Sequence, residues 1–264
     1  MKEVRAAYQD NGFYISKQPV IPLNIVQAAL KSMEAVRQGH YDTGISPADP
    51  SWTAEEGNDV LCRISMPYFA SQAVRDLIEH PALAKFVAEV TGSEVLQAWW
   101  NVYFSQPPTM QSETYIGVHQ DFAYWTELWD NSDGLFTAWI ALNDVRQNSG
   151  ALHYAAQTNK NRGEHNFFFE GDLNNQIQIV RQAHKGEWRE ELALLPAGGI
   201  SIHHGLTYHW SGLNTSSQPI INIAIHLRSE KSKLLKKERK TRYIDQFDKC
   251  PVIYGAASLI QDFG

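Results

Sequence analysis

From Glu94 onward the chain consists of short apolar runs rich in Val, Ile, Trp, Tyr and Phe, each cut off within a few residues by a turn signal such as QPP, NSDG, QNSG or PAGG. Runs of this length and texture between turn residues predict strands. Eight follow one another: Val95–Phe104, Ile116–Asp121, Leu135–Leu142, Leu152–Ala155, Glu191–Leu195, Ile200–His203, Thr207–Trp210 and Ile220–Leu227. With no helices alternating between them, the pattern favours two packed antiparallel sheets, a double-stranded β-helix or jelly roll, over a doubly wound parallel sheet.

The first third reads differently. PLNIVQAALKSMEAVRQGH carries Ile25, Val26, Ala29, Leu30, Met33 and Val36 at helical spacing, with Pro22 near its start and Gly39 at its stop. A polar helix is expected over Lys2–Gln9, a short strand over Gly12–Ser16, a loop over Tyr41–Asn58, and further helix between Ser71 and Val90, ended by Gly92. No segment reads as a linker, and 264 residues at 43% hydrophobic content can close one large core. The expectation is therefore a single domain, mainly β with flanking helices. It has a helical part over about 1–93, a jelly-roll core over about 94–230 and a C-terminal segment 231–264, whose basic run KSKLLKKERKTR (Lys231–Arg242) reads as a solvated helix or lid.

Net charge of −6, with both signs mixed along most of the chain, gives no footprint for nucleic acid or an anionic membrane surface. Cys62 and Cys250 stand far apart without C-x-x-C spacing, which suggests neither a disulfide framework nor a thiolate zinc site. No run of about 18 apolar residues exists to span a bilayer, and MKEVRAAYQDNGFYI lacks the apolar centre of a signal peptide. A cytoplasmic protein acting on a small molecule is the expectation.

GVHQDFAYW, Gly117 to Trp125, is where chemistry first suggests itself. On a strand, residues i and i+2 face the same way, so His119 and Asp121 would aim an imidazole and a carboxylate at one point while Gln120 faces away. Two histidines and one carboxylate around a non-haem iron(II) leave one face of the metal open. His203, His204, His209 and His226 offer the second histidine. The triplet alone is weak, since His40-Tyr41-Asp42 repeats its spacing in a polar loop with no apolar strand around it.

His209-Trp210-Ser211-Gly212-Leu213-Asn214-Thr215-Ser216, preceded by His204-Gly205, resembles the H-x-S-G-x-N-x-S segment of the phytanoyl-CoA dioxygenase family of iron(II)- and 2-oxoglutarate-dependent oxygenases. Phe136–Leu152, FTAWIALNDVRQNSGAL, is similar to the family's W-x-A-L-x-D-V-x-x-x-N-G-A-L segment. YQDNGFYI and HPALAKFVAEVTG resemble its opening element and the helix before its first long core strand, so coverage runs from about Tyr8 to Arg228. The resemblance implies His119, Asp121 and His209 as metal ligands and catalytic centre, with iron(II) and 2-oxoglutarate as cofactors and dioxygen and a small molecule as partners. His203, His204 and His226, as histidines among core strands, are expected to be hydrogen-bonded and structural, and the resemblance gives His204 a supporting place beside the metal. The intact Asp121 argues for hydroxylation over halogenation, because halogenating relatives carry a small residue there.

The resemblance also places an arginine eleven residues after the distal histidine, pairing with the far carboxylate of 2-oxoglutarate. That position is Ile220. Arg228 lies eight residues on, roughly 26 Å along a strand at about 3.3 Å per residue, too far to substitute. Three alternatives follow: a basic side chain from a neighbouring strand, neutral hydroxyl and amide donors, or a different cosubstrate. Arg63, in VLCRISMPYF, is the candidate for the first. Ser211, Trp125 and Asn101 are expected beside the cosubstrate by resemblance, and Phe122, Tyr124, Trp125 and Trp129 are candidates to line a substrate pocket. Desaturation, ring closure and epimerisation stand beside hydroxylation as outcomes, and a jelly-roll binding protein without turnover is the alternative of another class.

Overall fold

The computed structural model describes residues 2–48, 57, 59–108, 115–167, 171–235 and 243–260. Its centre is a curled antiparallel sheet, the half-barrel of a double-stranded β-helix, with helices packed on the outer face. The strands are β1 (Phe13–Ile15), β2 (Cys62–Ser65), β3 (Leu96–Gln106), β4 (Leu135–Ala141), β5 (Leu152–Ala155), β6 (Glu190–Leu192), β7 (Ile200–His204), β8 (His209–Ser211), β9 (Ile220–Arg228) and β10 (Val252–Tyr254). The large sheet runs β1-β7-β4-β9-β3-β10, with β2 also on β3, and the small one runs β6-β5-β8.

Strand alternation divides the large sheet into two faces. Ala138, Ile140, Ile200, Ile202, Ile223, Ile225, Leu227 and Tyr103 point outward and pack with Val26, Ala29 and Met33 of α2 (Leu23–Arg37), Val74 and Leu77 of α4 (Gln72–Ile78) and Leu83 and Val87 of α5 (Pro81–Thr91). The inner face carries Thr137, Trp139, His203, Ala224, His226, Trp100 and Val102 around a cavity. Both faces are covered, so all seven residues of β4 are buried. Two further helices, α1 (Lys2–Asn11) and α3 (Pro67–Ala70), complete the N-terminal part.

The helices end where local chemistry dictates. Gly39 sits at φ +80 just past α2 and Gly92 at φ +75 past α5, a left-handed backbone that only glycine takes up without strain. Ser71 Oγ accepts from Val74 N at 3.0 Å at the start of α4, and Pro81 opens α5.

Three expectations change. The described parts of the C-terminal segment pack on the sheet, with only a short 3₁₀ turn at Ala257–Leu259: Leu234 bridges to Trp129, β10 adds a strand to β3, and Gln97 Nε2 ties the segment down through Ile244 O (2.7 Å) and Cys250 O (2.8 Å). Residues 236–242, most of the basic run, lie outside the described residues. The N-terminal part holds the strand expected over Gly12–Ser16 as β1, paired with β7, and also a strand that was not expected, β2, paired with β3. A sixth helix, α6 (Leu173–Ala183), capped by Asp172, interrupts the strand series where none was expected. No helix among the described residues is long and apolar enough to cross a membrane.

Candidate metal centre and cavity

His119 and His209 face each other across a single antiparallel bridge, each donating its backbone N–H to the other's carbonyl at 3.0 Å. Their rings stand 4.2 Å apart. His119 Nδ1 lies 2.8 Å from Gly117 O and His209 Nδ1 3.0 Å from Thr207 O. Only a protonated Nδ1 can donate to a carbonyl, so both rings turn an Nε2 lone pair toward the same space. Asp121 Oδ1 enters that space 3.5 Å from His119 Nε2 and 3.7 Å from His209 Nε2. The three donor atoms lie within 4.8 Å of one another, and all three residues are buried. Two imidazoles and one carboxylate fit a divalent transition metal with part of its coordination sphere left open.

The expected strand Ile116–Asp121 does not form. Only His119 pairs, and Asp121 opens a short 3₁₀ turn, Asp121–Tyr124, anchored where Phe122 N donates to Gly205 O at 2.8 Å. Gln120 does face away, and it secures the segment: its amide donates to Asn161 O at 3.0 Å and to Leu206 O, and its N–H donates to Asn166 Oδ1 at 2.8 Å.

Asp121 Oδ2 has its own partners. Thr137 Oγ1 lies 2.6 Å away and His203 Nε2 3.0 Å away. Since the threonine hydroxyl donates to the carboxylate, it accepts from His226 Nδ1 at 2.9 Å. His203, donating from Nε2, presents Nδ1 to Tyr154 Oη at 3.2 Å, which in turn lies 2.8 Å from Ser201 Oγ. Burial alone would raise the Asp121 carboxyl, but the imidazoles packed around it, with His203 donating a hydrogen bond, hold it well below the usual range. Burial, reinforced by His119 and His203, holds His209 neutral.

His203 therefore supports the carboxylate, and His204, expected in that role, does not. His204 projects from the opposite face of β7, where its Nδ1 accepts from Leu206 N at 3.1 Å. Thr137 carried no sequence signal. Its role follows from register, which sets Thr137 opposite His203 on one side and His226 on the other.

The donor set opens onto a cavity of about 240 Å³. Ser211, Trp125 and Arg63 line it, and Arg63 is the only Lys or Arg among the described residues that do. Trp125 packs edge-on against Trp99 and His226, with ring centroids 5.3 and 4.9 Å apart. Asn101 is displaced from the site: beyond the irregularity at Ala98–Trp100, where Trp99 and Trp100 both line the cavity, β3 turns Val102, Phe104 and Gln106 to it and Asn101 away. Asn101 points to the helical face, accepting from Tyr68 N at 3.2 Å and approaching Met66 Sδ at 3.4 Å. Of the aromatic candidates, Tyr124 and Trp125 line the cavity, whereas Phe122 and Trp129 pack outside it. Arg228 lies over the Trp129 ring at 4.9 Å, away from the cavity. The control triplet holds no metal-ligand cluster: Asp42 Oδ1 accepts from Gln72 N at 2.9 Å at the start of α4.

Residues 8–220 match the phytanoyl-CoA dioxygenase (PhyH) family. The chain belongs to that family. No curated protein matches it in sequence. Among solved structures, the epimerase SnoN in complex with Fe3+, alpha ketoglutarate and nogalamycin RO is 17% identical, with a TM-score of 0.66 over 91% of this chain and 86% of that one. The carbocyclase SnoK from nogalamycin biosynthesis is 19% identical (TM-score 0.67, 89% and 86% covered), and EctD from S. alaskensis is 15% identical (0.66, 90% and 81%). At these identities the likeness establishes the shared fold. The PhyH family comprises iron(II)- and 2-oxoglutarate-dependent oxygenases acting with dioxygen on small molecules, and this member carries its His-Asp-His triad.

Proposed function

We propose that this PhyH-family protein hydroxylates a small organic molecule, with His119, Asp121 and His209 holding iron(II) and with Ser211, Trp125 and Arg63 beside 2-oxoglutarate. The observation that carries the reading is the division of labour at Asp121. Its Oδ2 is engaged by Thr137 and His203, so Oδ1 alone is directed at the space shared by the two Nε2 atoms. A carboxylate held this way would give the metal one oxygen ligand, in the place that halogenating relatives leave to a halide.

When bound, iron(II) with 2-oxoglutarate supplies the oxidising power drawn from dioxygen. The chain's own residues orient and exclude. Gly117 O and Thr207 O fix the imidazole tautomers, and Trp99 and Trp125 wall the site with apolar surface that keeps water out. Tyr124, with its ring centroid 5.9 Å from that of His119 and nearly half exposed, stands where a substrate would enter.

Epimerisation and ring closure, the activities named for SnoN and SnoK, can begin with the same hydrogen abstraction, and product analysis separates them: hydroxylation adds one oxygen atom, the others none. The cofactor reading is tested by adding 2-oxoglutarate to the anaerobic iron(II)-loaded protein. A visible charge-transfer band, then succinate on admitting oxygen, is the expected result. Neither signal with iron bound would reject it.

A further inference from the structure

Among the polar groups that line the cavity outside the metal centre, Asn222 stands out. Asn222 is 5% exposed and lines the cavity, and its Oδ1 is buried without a hydrogen-bond partner. Leaving a buried amide oxygen without a partner costs free energy, so an amide in that state lining a cavity points to a ligand that re-engages it. The two ends of an amide are nearly isosteric, and a half-turn about its last torsion presents either NH2 or C=O.

Its position says which ligand. Ile220 and Asn222 share the inner face of β9, where Asn222 lies opposite Phe104 of β3 and Ala141 of β4, and Ile220 opposite Gln106. Ile220, 1% exposed, fills the position at which the family resemblance places an arginine. Ser211 lines the same cavity. Its Oγ accepts from Ile116 N at 2.7 Å, which leaves the hydroxyl hydrogen to donate.

Resting on the reading that 2-oxoglutarate occupies this cavity, we propose that Asn222, together with Ser211, receives its distal carboxylate, replacing the guanidinium with neutral donors. Moving the anchor two residues along β9 brings it about 7 Å closer to the row that holds His226, offsetting the shorter reach of an asparagine. Arg63 enters the cavity from β2 opposite Phe104 and supplies its positive charge.

The test uses the full chain loaded with nickel(II), which binds without turning over, titrated calorimetrically with 2-oxoglutarate and with 2-oxobutyrate, a keto acid lacking the distal carboxylate. Wild type should prefer 2-oxoglutarate. Asn222→Leu should weaken 2-oxoglutarate roughly ten- to a hundredfold, the range of a hydrogen bond to a charged group, and leave 2-oxobutyrate within about twofold. Its melting temperature should not fall, since the change removes a buried amide oxygen that has no partner, whereas a purely structural role would lower it. Ile220→Arg in the Asn222→Leu background should recover the preference. Wild-type preference in Asn222→Leu overturns the proposal, as does a preference lost in Arg63→Met but kept in Asn222→Leu, which would move the anchor to Arg63. Equal affinity of wild type for the two acids also overturns it while leaving the cosubstrate reading standing. Binding of neither acid, with nickel bound, rejects that reading itself.

Discussion

The hydroxyl of Thr137 donates to Asp121 Oδ2 across 2.6 Å, from a strand that contributes no metal ligand. Thr137 thereby makes β4 part of the metal centre. Removing that one oxygen should loosen the carboxylate without disturbing the packing. Thr137→Val is expected to lower iron(II) or nickel(II) affinity by about 10- to 100-fold, as losses of supporting hydrogen bonds to ligands do. Affinity within twofold of wild type would show that His203 alone orients Asp121.

The ligands themselves set the larger effect. His119→Ala and Asp121→Ala should each weaken metal binding on the order of 100-fold or more, beyond what a supporting residue contributes. His40→Ala should leave it untouched, because Asp42 is committed to the Gln72 N–H. Calorimetric nickel titrations of the three variants check the contrast, and unchanged binding in the first two would reject the triad.

Close packing behind His119 makes Gly117 intolerant of any side chain. A Cβ there would collide with the Phe167 carbonyl oxygen and come 2.6 Å from Gln176 Oε1, which accepts from Val118 N at 3.1 Å. Gly117→Ala should cost about 1–3 kcal/mol of stability, the usual range for overpacking, and weaken metal binding by shifting His119. Urea unfolding and metal titration measure the two effects, and wild-type values in both would mean that the loop yields freely.

Acid should destabilise the metal-free protein from an identifiable source. Burial pushes His204 and His226 down to about 4, against about 6.5 when unfolded. Between those values the unfolded chain binds more protons than the folded one. The contribution is thus fully present above pH 6.5 and is lost as pH falls toward 4, about 3 kcal/mol for each histidine over the whole window. Urea midpoints at pH 7 and pH 5 test the sign, and equal midpoints would contradict it.

How far the sequence reached depended on whether an inference was local. The α2 boundaries, the strand texture and the order His119, Asp121, His209 were legible because each rests on spacing along the chain. The Asp121 backbone was not, because the 3₁₀ turn is set by a hydrogen bond from Phe122 to Gly205, more than eighty residues away in sequence. Asn101 failed for a similar reason: strand periodicity gives two faces, and only the helices covering one of them decide which is inner.

By itself, then, the sequence determined the ligand types and their order, most of the jelly-roll strands and the isoleucine at position 220. Only the tertiary structure decided that His203 rather than His204 supports Asp121, that Thr137 joins it, and that Asn222 lines the cavity with its Oδ1 unpartnered. Those outcomes follow from register across β7, β4, β9 and β3, where a slip of one residue turns every side chain to the other face.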